Sequence, residues 1–260
     1  MFGWVVDSAQ GSWMRATKIE FRLRMAIMAV IITLGFSAPW MGAWGIGTRI
    51  PLLMALPLEV SRLGLLSFSV AMPLVIVLAA LIAAKAMILR VWGAACLGPA
   101  TVIHAKMKGD ALVASGPFRY VRNPLYIGLW AMTTTLAFLM PVSGALFVMV
   151  VVPVFLLRLT LSEEAFLAGE LGQPYQEYLR AVPRLIPRLR TALPPADSKP
   201  QWLHAVFSEF ASIGIFLAMV IFSWSYNLLL MEKVILVSFG LSLVARGFVL
   251  GTGRKQSSTE

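Results

Sequence analysis

The chain holds one cysteine and two histidines, and only 13% of its 260 residues are charged. With Cys96 alone, neither an internal disulfide nor a cysteine-based metal cluster can form. His104 and His204 lie far apart in sequence, which argues against a metal site. Soluble domains carry about a quarter charged residues, so the shortage of charge, with 59% hydrophobic residues and a mean hydropathy of +0.82, places the chain in the membrane class. Charge is nearly missing from the apolar runs themselves. Arg246, inside the last span, is an exception, and snorkelling toward the cytoplasmic end explains it first, so a proton or ion relay has little to work with. A cleavable signal is not expected either, because the first 24 residues are mixed and polar. Within them Trp4, Trp13, Arg15, Lys18, Arg22 and Arg24 read as an interfacial lead-in.

The net charge of +10 raises the question of nucleic acid. The basic residues, however, sit at the ends of apolar segments, where snorkelling and orientation account for them. No nucleic-acid partner is expected. The apolar pattern predicts an all-α polytopic membrane protein with about six spans. These are Met25–Gly45, Leu63–Ala84 with a helical extension to about Leu97, Pro124–Met140, Val142–Leu161, Val206–Trp224 and Val234–Leu250. Pro39, Pro51, Pro57, Pro73 and Pro153 kink or bound these helices.

Lys and Arg counts orient the spans. Four fall in the first 24 residues, six in 85–123 and six in 158–200, whereas the connection around Pro141 has none and Ser225–Lys233 has one. The positive-inside rule then puts both termini and both basic segments in the cytoplasm. Alanine-rich spans suggest a bacterial inner membrane. Three segments follow: 1–62 as an interfacial lead-in and first span, 63–190 as the core, and 191–260 as a linker with two further spans and a polar tail.

The stretch Gly116-Pro117-Phe118-Arg119-Tyr120-Val121-Arg122-Asn123-Pro124-Leu125-Tyr126-Ile127-Gly128 opens the third span, and Glu163-Glu164 follows the fourth. Met140-Pro141-Val142-Ser143-Gly144 is too short and apolar to be a domain, so these two spans form a tight hairpin that returns the acids to the arginines. A cationic corner facing an acidic pair suits a small zwitterionic cofactor. On position alone, Arg119 and Arg122 are ordinary snorkelling residues, and the functional reading needs a carboxylate or phosphate for the guanidinium fork. Asn123 and Pro124 likewise read locally as helix cap and first helical residue. Glu163 and Glu164 are by themselves dipole partners of a helix start, or simple partners of the arginines.

Ser162–Arg190 then changes character. Glu163–Leu171 reads as a short amphipathic piece stopped by Gly172, and Pro174 starts a second piece with Tyr175 and Tyr178 three apart on one face. Those tyrosines are interfacial anchors by default. Pro183 ends the piece, and Arg184, Pro187 and Arg188 follow. Together the segment is expected to be a cytosolic amphipathic lid.

The first of these blocks, then Glu163-Glu164-Ala165-Phe166-Leu167, then the run from Leu171-Gly172-Gln173-Pro174-Tyr175 to Val182-Pro183-Arg184-Leu185-Ile186-Pro187, resembles the isoprenylcysteine carboxyl methyltransferase family, which merges into the membrane phospholipid methyltransferases. The likeness covers about residues 85–190, with the three blocks in the family's order and spacing. It implies an S-adenosylmethionine-dependent methyltransferase acting on a lipid-like or prenylated acceptor, with its pocket facing the cytosol and membrane lipids around it. By the same likeness, Tyr120, Arg122, Asn123, Pro124 and Tyr126 line the cofactor pocket. Glu163 and Glu164 serve it from the second block, and Tyr175, Tyr178 and Pro183 from the third. Arg122 and Glu164 would be the catalytic pair, and Arg180 and Arg184 would stand near the acceptor's entrance.

One position departs from the family pattern. The family usually reads Arg-His-Pro, and here the middle residue is Asn123, which hydrogen-bonds but does not titrate near neutral pH. Methylation of a phospholipid amine is the alternative to O-methylation of a carboxylate. A non-catalytic membrane protein that kept the fold is the alternative from another class.

Overall fold

The computed structural model describes residues 14–39, 49–97, 115–188, 190, 193 and 200–256. Within them run ten α-helices: α1 (Lys18–Arg22), α2 (Arg24–Ser37), α3 (Leu52–Arg62), α4 (Phe68–Leu97), α5 (Pro124–Ala137), α6 (Val142–Leu171), α7 (Gln173–Ala181), α8 (Trp202–Ser208), α9 (Phe210–Ser225) and α10 (Leu228–Gln256). A 3₁₀ turn spans Gly116–Arg119, and the described residues contain no strand. Outside them lie Trp4, Trp13 and His104, and most of the linker before Pro200.

Three helices are long and apolar enough to cross a bilayer: α4, α6 and Leu228–Ala245 of α10. The bent pair α8–α9 makes a fourth if it counts as one span. Their outward faces carry exposed apolar side chains such as Leu81, Val150 and Leu236, the pattern of a surface solvated by lipid. This is an integral membrane protein, all-α as expected.

Several boundaries differ from those read in the sequence. The first span ends at Ser37, because Ala38 turns extended before Pro39, and the third ends at Ala137. Each of these helices has 14 residues and rises about 21 Å, short of the roughly 30 Å hydrocarbon core. The fourth does not stop at Leu161. Helix α6 runs unbroken through Pro153 to Leu171, so Glu163–Leu171 continues the span rather than forming a separate amphipathic piece. The fifth is broken by 72° between α8 and α9. Helix α3 was not expected at all, since its prolines read as boundaries; Pro57 lies inside it.

Packing of the bundle depends on small residues at the crossings. A Cβ on Gly144 of α6 would strike the Gly35 carbonyl of α2, and one on Gly214 of α9 would strike Ser238 of α10. A Cβ on Gly128 of α5 would come within 2.5 Å of Arg90 Cγ and 3.2 Å of the Ala86 carbonyl on α4. One apolar core joins α2, α4, α5, α6 and α9 through residues such as Ile31, Ile76, Leu136, Val148 and Met219. The α5–α6 turn is pinned by α3, whose Leu52 N–H donates to the Met140 carbonyl at 2.9 Å and whose Leu53 N–H donates to that of Phe138 at 2.8 Å. The hairpin is therefore tight, and it brings residue 122 back beside residue 164.

Candidate functional site

Helix α5 starts where the chain cannot do otherwise. Asn123 takes the N-cap position and Pro124 the first helical one, where a missing N–H costs nothing. Before it, the 3₁₀ turn opens on Gly116 at φ +52°, with Cys96 Sγ and Trp92 Nε1 occupying the space a Cβ would need. Trp92 also faces the Tyr120 ring at 6.2 Å between centroids. The C-terminal end of α4 is thus the platform on which this corner rests.

From the corner, Arg122 projects into the space between α6 and α7. Its Nη1 lies 3.2 Å from both carboxylate oxygens of Glu164. Its Nε donates to the Val182 carbonyl at 2.6 Å, its Nη2 to that of Leu179, and its backbone N–H to that of Pro183 at 2.9 Å. Arg184 approaches the same carboxylate from the other side, with Nη2 to Oε2 at 2.7 Å and Nε at 3.1 Å from each oxygen. Glu164 is buried, at 7% side-chain exposure, while Arg122 keeps 15% and Arg184 38%. Hydrogen bonding to Glu164 raises the Arg184 pKa further, so the guanidinium stays charged.

Gly172 at φ +61° ends α6 and lets α7 fold back with Pro174 in its first turn. Tyr175 and Tyr178 are buried, 5.8 Å apart between ring centroids, and the Tyr178 hydroxyl donates to the Phe118 carbonyl at 2.8 Å. Both are buried against each other and the 3₁₀ turn, rather than exposed as interfacial anchors would be. Burial pushes both phenols well above their usual range, so neither supplies a phenolate base. The loop beyond α7 is sewn to the corner by the Arg188 N–H, which donates to the Tyr120 carbonyl at 3.0 Å.

Two further features complete the cluster. The Tyr126 hydroxyl lies close enough to Glu163 to interact with its carboxyl, and the charge of Arg24, at the start of α2, acts on the same group. Asn123 caps α5 by position only. Its side chain makes no capping bond, and its Nδ2 is buried without a partner.

The structure therefore brings together Tyr120, Arg122, Asn123, Pro124, Tyr126, Glu163, Glu164, Tyr175, Tyr178, Pro183 and Arg184 around one corner. Of the two arginines expected near the acceptor's entrance, Arg180 is exposed in the last turn of α7, and Arg184 pairs with Glu164. Arg119 does not snorkel; its guanidinium bonds the Leu193 carbonyl. Sequence reasoning placed Arg184 at an entrance and missed its pairing with Glu164. It read Arg24 only as interfacial, although a cation opening an apolar helix was the available signal.

Residues 74–173 match the sequence model of the phospholipid methyltransferase family. Over 88 residues the chain is also 38% identical to a protein-S-isoprenylcysteine O-methyltransferase of Schizosaccharomyces pombe, a stretch covering 33% of this chain and 37% of that relative. The chain thus aligns with little more than a third of the curated relative it matches. No solved structure matches. The family match falls on the α4–α6 segment that carries the corner and the acidic pair, and both findings agree with the resemblance to the isoprenylcysteine carboxyl methyltransferase family.

Proposed function

We propose that this protein is a membrane methyltransferase that uses S-adenosylmethionine to methylate a lipid-like or prenylated acceptor, with a carboxylate as the methylated group. The observation that carries the reading is the meeting of Arg122 and Glu164 from opposite ends of the α5–α6 hairpin, with a buried amide donor without a partner on the next residue, Asn123. That donor set fits the cofactor. Two guanidinia share one carboxylate, leaving a surplus positive charge for a carboxylate to neutralise, and the two glutamates suit an ammonium or ribose hydroxyls. Buried charges must stay paired, so a zwitterion would be accommodated by exchange: Glu164 would turn from one guanidinium to the ammonium, and Arg122 would take the carboxylate. Arg184, the more exposed partner, is the one released.

When bound, S-adenosylmethionine supplies a methyl group on a sulfonium, open to direct attack by a nucleophile. Arg122, already fixed by three backbone carbonyls, orients the bound carboxylate. Asn123 Nδ2 would donate to the cofactor, and an amide moves no proton. Tyr120, Pro124, Tyr126, Tyr175, Tyr178 and Pro183 wall the pocket and exclude water, and Arg180 and Arg184 face the acceptor's approach from the lipid. A carboxylate acceptor is already ionised and needs no base, which agrees with an asparagine at position 123. Methylation of a phospholipid amine is the second reading, favoured by the family description over residues 74–173.

We read 63–190 as the catalytic core, 1–62 as its lead-in and 191–260 as an added hairpin, with termini and site cytoplasmic by the distribution of basic residues. The matched relative comes from a fission yeast, so the bacterial setting read from composition gains nothing from it. Purified protein supplied with membrane extract and methyl-labelled cofactor tests the activity. Label released by mild base marks an ester and supports carboxylate methylation, base-stable label marks an amine, and no transfer rejects the enzymatic reading.

A further inference from the structure

Glu209 lies far outside the family-matched segment, at the break between α8 and α9, yet its side chain is 2% exposed. It receives Arg90 of α4 as a fork, Nε to Oε2 at 2.6 Å and Nη2 to Oε1 at 2.8 Å. The Ser212 hydroxyl adds a third donor at 2.7 Å. The remaining nitrogen of the same guanidinium, Nη1, points at the Leu125 carbonyl in the first turn of α5, 3.4 Å away.

The break in the helix makes this possible. Bending by 72° lays α8 over the C-terminal end of α4, where Ala205 packs on Ala94 and Ala95, and the Gln201 N–H bonds the Ala95 carbonyl at 2.8 Å. The opposite side of that same stretch of α4 supports the corner. A Cβ on Gly93 would meet Leu125 Cδ2 at 2.9 Å, and Trp92 backs Tyr120. One face of α4 carries the site, the other carries the added helices.

We infer that the α8–α9 elbow is a brace for the cofactor corner, with Glu209 as its positioning residue: by fixing Arg90 it sets the register of α4 against residues 120–126. This gives the two added helices a role in the site without contact with any ligand, and it rests on the proposed function only for its effect on cofactor affinity. The brace itself is a property of the fold.

The test uses the full-length protein in detergent, wild type against Glu209→Gln, with hydrogen–deuterium exchange across residues 118–130 and titration with S-adenosylhomocysteine. Removing the charge is expected to speed exchange at 120–128 about fivefold and to weaken binding about tenfold, the scale of a small misplacement of positioning groups. Peptides of α6 and α10 should exchange as before, which a general loss of stability would not allow. Arg90→Lys keeps the charge but loses the fork, and if Glu209→Gln does not fold it should show the same local change, smaller. Unchanged exchange at 120–128 in a folded variant overturns the brace. Should wild type bind no S-adenosylhomocysteine, the proposed function falls, and the exchange result still decides the brace.

Discussion

Two carboxylates in this molecule are buried against arginine, and they are finished differently. Glu209 meets one guanidinium in a fork, adds a serine hydroxyl, and closes as a neutral, saturated pair. Glu164 meets two guanidinia, one of them 38% exposed, and in the residue after Arg122 an amide nitrogen is buried with no partner. Saturation suits a joint between helices. Surplus charge and an unspent donor suit a place where a ligand comes and goes. Distances alone would not separate the two, since both pairs lie within 3.2 Å.

The comparison breaks most sharply on stability. Glu209→Ala leaves Arg90 buried without its partner and is expected to cost about 3–5 kcal/mol, seen as a lowered midpoint in detergent-based thermal unfolding. Glu164→Ala should cost distinctly less, because Arg184 can turn to water and Arg122 keeps its backbone acceptors. Equal losses would place Glu164 with the structural joints. Replacing both Arg90 and Glu209 by Met and Leu should recover most of the stability, as apolar substitutes for a buried pair often do.

A smaller effect is expected at the wall. Tyr178→Phe removes the donor to the buried Phe118 carbonyl and should cost about 1–3 kcal/mol in the same assay. It should also weaken binding of S-adenosylhomocysteine, whereas Ser212→Ala, beside the sealed pair, should lower stability and leave binding nearly intact.

How much of this was readable beforehand depends on range. The hairpin was readable, because run lengths and basic clusters are local signals, and so was the stop at Gly172, a glycine where the chain needs positive φ. The elbow was not. The run Val206–Trp224 looks like a single span, and the partner that makes Glu209 tolerable lies 119 residues away. The continuation of α6 past Glu164 was missed for a related reason: its charges suggested a new piece, but they are neutralised by Arg122 and Arg184 from elsewhere. Of the site, the residue types were readable, and the competition of two arginines for one acid was not.

The smallest expected effect lies at the amino-terminal edge, outside both clusters. Glu20 closes a capping box with Thr17 and pairs with Arg158 of α6 at 3.0 Å. The Thr17 backbone N–H, then Arg158, hold its carboxyl below the usual carboxylate range. The stabilisation is present above the unfolded value of about 4.3 and is lost as pH falls through the lower folded value. Acidification from pH 5 to pH 3 should therefore loosen α1, raising deuterium uptake over residues 16–24, and Glu20→Gln should be loose already at pH 7.

Calorimetric titration of detergent-solubilised protein with S-adenosylhomocysteine, wild type beside Glu164→Ala, tests the central claim most directly. The account predicts saturable binding by wild type and, in the folded variant, a loss of at least about a hundredfold, the cost of removing a charged partner from a desolvated site. Undiminished binding by Glu164→Ala, or none by wild type, would contradict it.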